Sequence, residues 1–247
     1  MRFADLVLTP NLAFRELFIS RKCPPEKIQI VMNSPQGDIF DPARVEAASN
    51  TTGSGKQFRL MYHGFLVERH GLDMAVEAIA GLRPLIPGIT FDFYGTRTPY
   101  VRRIETQIEK LGLQSQMVYH GRKSLAEIAA AVTAVDLGVI PNRRNPFTEI
   151  NFPTRIFEYL ALGKPVIVPR TRGIQDYFDE TQMLFFNPDD VADLARVIQR
   201  VWEHPQETAE IVRRGREVYL QHLWSEEKSR FLSLVEGLFT GRAVATT

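Results

Sequence analysis

The chain has 247 residues, 44% hydrophobic and 24% charged, enough for one large α/β domain or for one domain plus part of another. A formal net charge of +1 argues against bulk attraction to nucleic acid or to an anionic membrane, so any anion bound here is held by a local site. The single cysteine, Cys23, rules out an intrachain disulfide, and no zinc-type Cys/His spacing is present. No apolar run approaches the ~20 residues of a membrane-spanning helix, and the N-terminus lacks the layout of a signal peptide. These features predict a cytoplasmic chain, at most peripheral to a membrane.

In chain order, ADLVLT (4–9) and KIQIVM (27–32) read as strands around a helix at 11–21, with CPPEK as the turn. Two strands alone leave their edges exposed, so residues 1–45 read as the remnant of another domain. Residues 46–57 read as a polar linker. Their TTGSGK lacks the first Gly of a phosphate loop and the hydroxyl after Lys56.

From 58 to 240, β-rich runs alternate with helical patterns. FRLMYH (58–63), ITFDFY (89–94), QMVYH (116–120), DLGVI (136–140), PVIV (165–168) and MLFF (183–186) read as strands. Helices are expected at 71–82, 100–111, 124–134, 153–162, 173–178, 189–203, 206–221 and 225–238. Most of the strands are continuous apolar runs, as parallel strands covered on both faces should be. The alternation predicts an α/β fold: a doubly wound, Rossmann-like parallel sheet with helices on both faces, followed by a tail at 241–247.

The helix expected at 153–162 is the most informative. Pro153 suits a first helical turn, Gly163 a left-handed cap, and Pro165 stops continuation. At 100° per residue, Ile156, Phe157 and Leu160 form an apolar face, while Thr154 and Glu158 share another, flanked by Arg155. Free amides at such a helix start suit a phosphate, and Glu158, one turn inside, suits sugar hydroxyls beside it. The competing reading is a plain amphipathic helix whose Glu158 is solvated and paired with Arg155.

PTRIFEYLALGKPVIV after DLGVIPN resembles the nucleotide-sugar site of retaining glycosyltransferases of family 4, which have the two-domain GT-B fold. The resemblance covers nearly the whole chain: YHGFLVERHGLDMAVEAI (62–79) matches the diphosphate loop of their C-terminal domain. FDFYGT (91–96) matches the next strand, VYHGRKSLAEI (118–128) the loop facing the base, and FFNPDDVADLARVI (185–198) the closing segment. It implies that residues 58–240 bind a nucleotide sugar through Gly64, Gly95, Gly121, Arg122, Thr154, Arg155 and Glu158, with Glu158 on the ribose. The family's E-x7-E pair would place its donor-sugar glutamate at Ile150; the nearest is Glu149, one residue early. Where the family's diphosphate loop has Arg and Lys, this chain has Phe65 and His70, leaving Arg69 as the loop's cation, with a plain surface Arg as the alternative. His63, His120 and the basic loop NRRN (142–145) lie at the same sheet edge; satisfied histidines and a solvated loop are the alternatives there.

The resemblance implies transfer of a sugar to a glycan or lipid-linked acceptor with retention, with no cofactor and no metal, and with help from an N-terminal partner domain. A non-catalytic nucleotide-sugar-binding module and a sugar-nucleotide epimerase are competing readings. Base, sugar and acceptor are not encoded legibly.

Overall fold

The computed structural model describes residues 3–41 and 57–240. Most of the expected 46–57 linker, and the tail at 241–247, lie outside the described residues. The large sheet holds β3 (Phe58–His63), β4 (Ile89–Tyr94), β5 (Met117–Tyr119), β6 (Leu137–Val139), β7 (Val166–Pro169) and β8 (Leu184–Phe186). Their order is β5-β4-β3-β6-β7-β8, and every pairing is parallel. Sequence neighbours diverge at the β3–β6 pair: the chain winds outward from β3 to β5, returns, and winds outward again from β6. That reversal opens a crevice at the carboxyl ends of β3 and β6, where parallel α/β sheets bind ligands.

Helices cover both faces. One core joins β3 and β4 to α2 (Leu72–Leu82), α3 (Pro99–Lys110) and α7 (Val191–Glu203). The other packs α4 (Leu125–Ala134), α5 (Arg155–Ala161), α6 (Arg172–Gln175) and Tyr219 of α8 (Pro205–Leu220) on the opposite face. The continuous burial read for most strands holds in β6, β7 and β8 but not at the sheet's other end. In β4, Ile89, Phe91 and Phe93 are buried while Thr90, Asp92 and Tyr94 are only half-buried, and Val118 of the edge strand β5 is exposed. The second core reaches these strands only at Tyr94, so they alternate as a one-sided sheet does.

Local chemistry sets the helix limits. Ser124 and Glu127 form a reciprocal capping box at the start of α4, and Pro99 opens α3. The helix expected at 153–162 is shorter, seven residues from Arg155, with Thr154 as its cap position. It closes as expected through Gly163 at φ +64°, where the N–H of Lys164 reaches the carbonyl of Tyr159 at 2.9 Å.

The opening segment forms a separate pair of parallel strands, β1 (Val7–Thr9) and β2 (Ile28–Ile30), linked by α1 (Leu12–Ser20). It is fastened to the large domain rather than left alone. Fully buried Asn11 caps α1 through its Oδ1, which accepts from the N–H of Phe14 at 2.9 Å, while its Nδ2 donates to the carbonyl of Ile150 at 2.9 Å. The Tyr177 hydroxyl accepts from the N–H of Leu12, Arg172 pairs with Glu16, and Glu227 of α9 (Trp224–Thr240) accepts from the N–H of Met32. Asn11→Ala removes a cap and a buried hydrogen bond together and should cost about 2 kcal/mol in urea unfolding. Asn11→Asp keeps the cap but loses the donor to Ile150, so it should recover only part of that loss.

Candidate functional site

The carboxyl ends of β3, β4 and β5 each run into a glycine, and backbone bonds set these glycines side by side. The N–H of Gly64 donates to the carbonyl of Tyr94 at 3.0 Å, and the N–H of Gly95 to the carbonyl of Gly121 at 2.9 Å. Gly64 sits at φ +133°, which side chains rarely adopt, and a Cβ there would overlap the guanidinium of Arg155. The backbone angle favours glycine here, and an added methyl would have to displace the Arg155 guanidinium.

Arg155 explains that crowding. From the first position of α5 it crosses the crevice and donates through Nη1 to the Tyr62 hydroxyl at 2.7 Å and to the His63 carbonyl at 2.6 Å. Its guanidinium carbon lies 4.7 Å from the centre of the Tyr62 ring. Below it, the Tyr159 hydroxyl donates to the carbonyl of Met61 at 3.2 Å. Helix α5 is thus tied to the end of β3 across the switch point. The pairing of Arg155 with Glu158 that belonged to the competing reading does not form.

Glu158 turns instead toward β3. Its side chain is only 15% exposed, and Oε2 lies 3.3 Å from Nε2 of His63, itself 7% exposed. The contact is not an ion pair. Burial, with the Arg155 charge adding to it, lowers the His63 pKa to about 3, so the imidazole is neutral. Burial raises Glu158 to about 7, and the nearby Arg155 only partly opposes this. Nε2 of His63 is buried and lacks an aligned hydrogen-bond partner. The solvated reading of Glu158 is therefore wrong: the packing of α5 against β3 withdraws it from water.

The other predicted residues divide into rim and brace. Arg69, in the turn Glu68–His70, is exposed, with its guanidinium 5.4 Å from the centre of the Phe147 ring. Arg122 is exposed just beyond Gly121, and half-buried Thr154 stands at the start of α5. Glu149 is engaged by its neighbours. One of its carboxylate oxygens accepts from Arg144 Nε at 2.7 Å, the other from the N–H of Arg172 at 3.2 Å at the start of α6. The NRRN loop is a brace rather than a solvated loop. Arg143 pairs with Asp73 of α2 and Asp189, its N–H reaches the carbonyl of Arg69, and Arg144 also donates to the carbonyl of Arg170. At the base-facing edge, His120 contacts Asp92 at 2.6 Å and stacks on Tyr94 at 4.7 Å between ring centres.

Sequence reasoning passed over Tyr62 and Tyr159 and ranked His63 low. Their signal was faint: polar-tipped aromatics in apolar runs read as core, and only the register of α5 on β3 brings them to Arg155 and Glu158. His70 is neutral as well, with burial and Arg155 lowering it to about 4, and its Nδ1 donates to the Phe65 carbonyl at 2.5 Å. Among the described residues no group of three His, Cys, Asp or Glu side chains is placed to hold a metal ion, and no helix is long and apolar enough to cross a membrane.

The doubly wound parallel sheet with helices on both faces matches the Rossmann-like half of a GT-B fold. The profile of the family "Glycosyl transferases group 1" matches residues 45–218, and the chain belongs to that family. WcaL of Escherichia coli, assigned to colanic acid biosynthesis as a glycosyltransferase, is 25% identical over 221 residues, covering 87% of this chain and 52% of WcaL. The 2-deoxystreptamine glucosyltransferase of Streptomyces kanamyceticus is 28% identical over 190 residues, covering 73% of this chain and 48% of its own. The chain thus spans about half the length of these relatives. Anabaena HepE, solved in complex with UDP, superposes with a TM-score of 0.78 at 21% identity, over 97% of this chain and 65% of HepE, a likeness of fold.

Proposed function

We propose that this chain is the donor-binding half of a retaining glycosyltransferase of family 4, passing a sugar from a nucleoside-diphosphate sugar to a glycan or lipid-linked acceptor. Glu158 carries the reading. A carboxylate withdrawn from water without enough donors is costly to keep, and Arg155, the nearest cation, is committed to Tyr62 and His63. A ribose offers two vicinal hydroxyls, which as donors would satisfy that carboxylate. Gly121 leaves open space for a ligand to lie against bare backbone, while Gly64 and Gly95, packed against Arg155 and against each other, shape the strand ends beside it. Arg69, Arg122 and the backbone N–H of Thr154 supply positive charge around it, with Arg155 adding to the local field. Glu149 is the candidate for the donor sugar, acting from its post at α6. Because HepE holds UDP, uridine is the first base to try.

In this reading residues 58–240 bind the donor, 46–57 link, and 1–45 belong to an acceptor domain completed by an N-terminal half. The leaving diphosphate takes the acceptor's proton on the face from which it departs, which preserves configuration. Work at the cytoplasmic side of a membrane-borne acceptor fits the expected localisation.

Calorimetry of the full chain with UDP, GDP and ADP, without metal, tests the reading. One nucleotide should bind in the micromolar range, and Glu158→Ala should weaken it by roughly ten- to a hundredfold, the loss of a charge-assisted hydrogen bond. Unchanged affinity in Glu158→Ala would refute it.

A further inference from the structure

We infer that His63 is a positioning residue for Glu158, and that the two hold one extra proton between them which leaves for solvent when a ribose diol docks. The inference rests on the proposed ribose contact of Glu158 and adds a regulatory property to it.

The geometry isolates the pair. His63 ends β3 with its side chain 7% exposed, and its Nε2 faces Glu158 Oε2 at 3.3 Å with no other aligned partner. Its ring is wedged against Tyr159 at 5.3 Å between centres, and its carbonyl is held by Arg155. The imidazole therefore has little freedom to turn away. From the other elements, Arg155 and Tyr159 of α5 act on the pair directly; Tyr62 and Tyr94 on the sheet reach Tyr159, and His70 and Arg69 on the turn after β3 stand one step further out, beside Arg155 and Tyr62. Among the described residues Arg155 alone supplies a positive charge to both members of the pair, and two strong hydrogen bonds anchor it to β3.

Without ligand, the carboxylic acid form of Glu158 can direct its O–H at the Nε2 lone pair, so that neither buried atom stays unsatisfied. Two ribose hydroxyls change the balance, because both oxygens of the ionised form accept strongly, whereas the acid keeps only its carbonyl oxygen as a good acceptor. The acid proton then passes to solvent. His63 stays neutral in its other tautomer, with Nε2–H donating to Oε2 and holding the plane of the carboxylate. No charge is left unmatched: the diol's two hydrogen bonds and the His63 N–H surround the single negative charge.

The test is calorimetry of the full chain at pH 7 in buffers of different ionisation enthalpy, with UDP and with 2′,3′-dideoxy-UDP. UDP should release about half a proton, since Glu158 is half-protonated near pH 7. Release should vanish at pH 9, with dideoxy-UDP, and in Glu158→Gln. His63→Ala should reduce the release and weaken UDP about tenfold at pH 8, the scale of one lost hydrogen bond to a charged group; His63→Gln, which keeps a donor, should restore affinity. UDP binding without buffer-dependent heat, or His63→Ala leaving both affinity and release unchanged, would overturn the inference while the ribose reading stands. Equal affinities for UDP and dideoxy-UDP would overturn both.

Nitrogen NMR reads the pair without nucleotide. The His63 ring should stay unprotonated from pH 8 to pH 5, while its Nε2 signal shifts with a midpoint near 7 that disappears in Glu158→Gln. A ring that protonates in that range, or a signal that ignores Glu158, would overturn the inference.

Discussion

Gly71→Ala is expected to destabilise the chain by about 3–4 kcal/mol, from left-handed strain plus overpacking. Gly71 joins the turn Glu68–His70 to α2 at φ +64°, a conformation that costs any residue with a Cβ. A methyl there would also overlap the backbone carbonyl of Pro141 at the end of β6. That carbonyl cannot rotate aside as a side chain would, so the loops flanking the switch point must separate. The same shift would pull Arg143 from Asp73 and from the carbonyl of Arg69. Urea unfolding should show the loss in midpoint with an unchanged slope, and nucleotide affinity should fall with it. An unchanged midpoint would mean that the two loops are not clamped together through Gly71.

Glu158→Gln is expected to stabilise the chain at pH 8 by about 2–3 kcal/mol and to do almost nothing at pH 4. Burial lifts Glu158 from its ordinary 4.5 to about 7 in the fold, so the folded protein holds the proton more tightly than the unfolded chain. Its contribution is fully present below pH 4.5 and is lost as pH rises through 7. His63 works in the opposite sense. Lowered from 6.5 to about 3, it contributes stability above pH 6.5 that is lost as pH falls toward 3. Glutamine keeps the shape of Glu158 without the charge, which removes only the alkaline loss. In a chain of this length the gain at pH 8 corresponds to a rise in melting temperature of about 4–12 °C. The same variant should bind nucleotide poorly, so one charge would trade stability for the ligand. Parallel melting curves for both proteins across this pH range would expose the idea as wrong.

Much of this was legible in the chain itself. Alternating β-branched runs and capped helical stretches specify parallel strands with crossover helices, because backbone bonding and burial of apolar faces leave few other arrangements. Strands β3 and β4 have the boundaries their residues suggest, and most helices lie within a residue or two of expectation. The limit of α5 was misjudged because Pro153 is compatible with a helix start without requiring one, and chain geometry begins the helix at Arg155.

The sequence by itself determined the doubly wound sheet, the glycines after β3, β4 and β5 and the presence of Glu158 on a short helix after β6. Those features depend on local conformational preference and on periodicity, both written in neighbouring residues. Tertiary structure alone decided what the charges do. By sequence spacing Arg155 was free to pair with Glu158 three residues on, but docking α5 on β3 offers it the Tyr62 hydroxyl and the His63 carbonyl, 93 and 92 residues away. The same docking removes Glu158 from water and sets it against His63, giving a carboxyl group whose protonation is settled by burial and not by its sequence neighbours. Electrostatic character depends on desolvation and on distances across the sheet, and neither exists until the fold has closed.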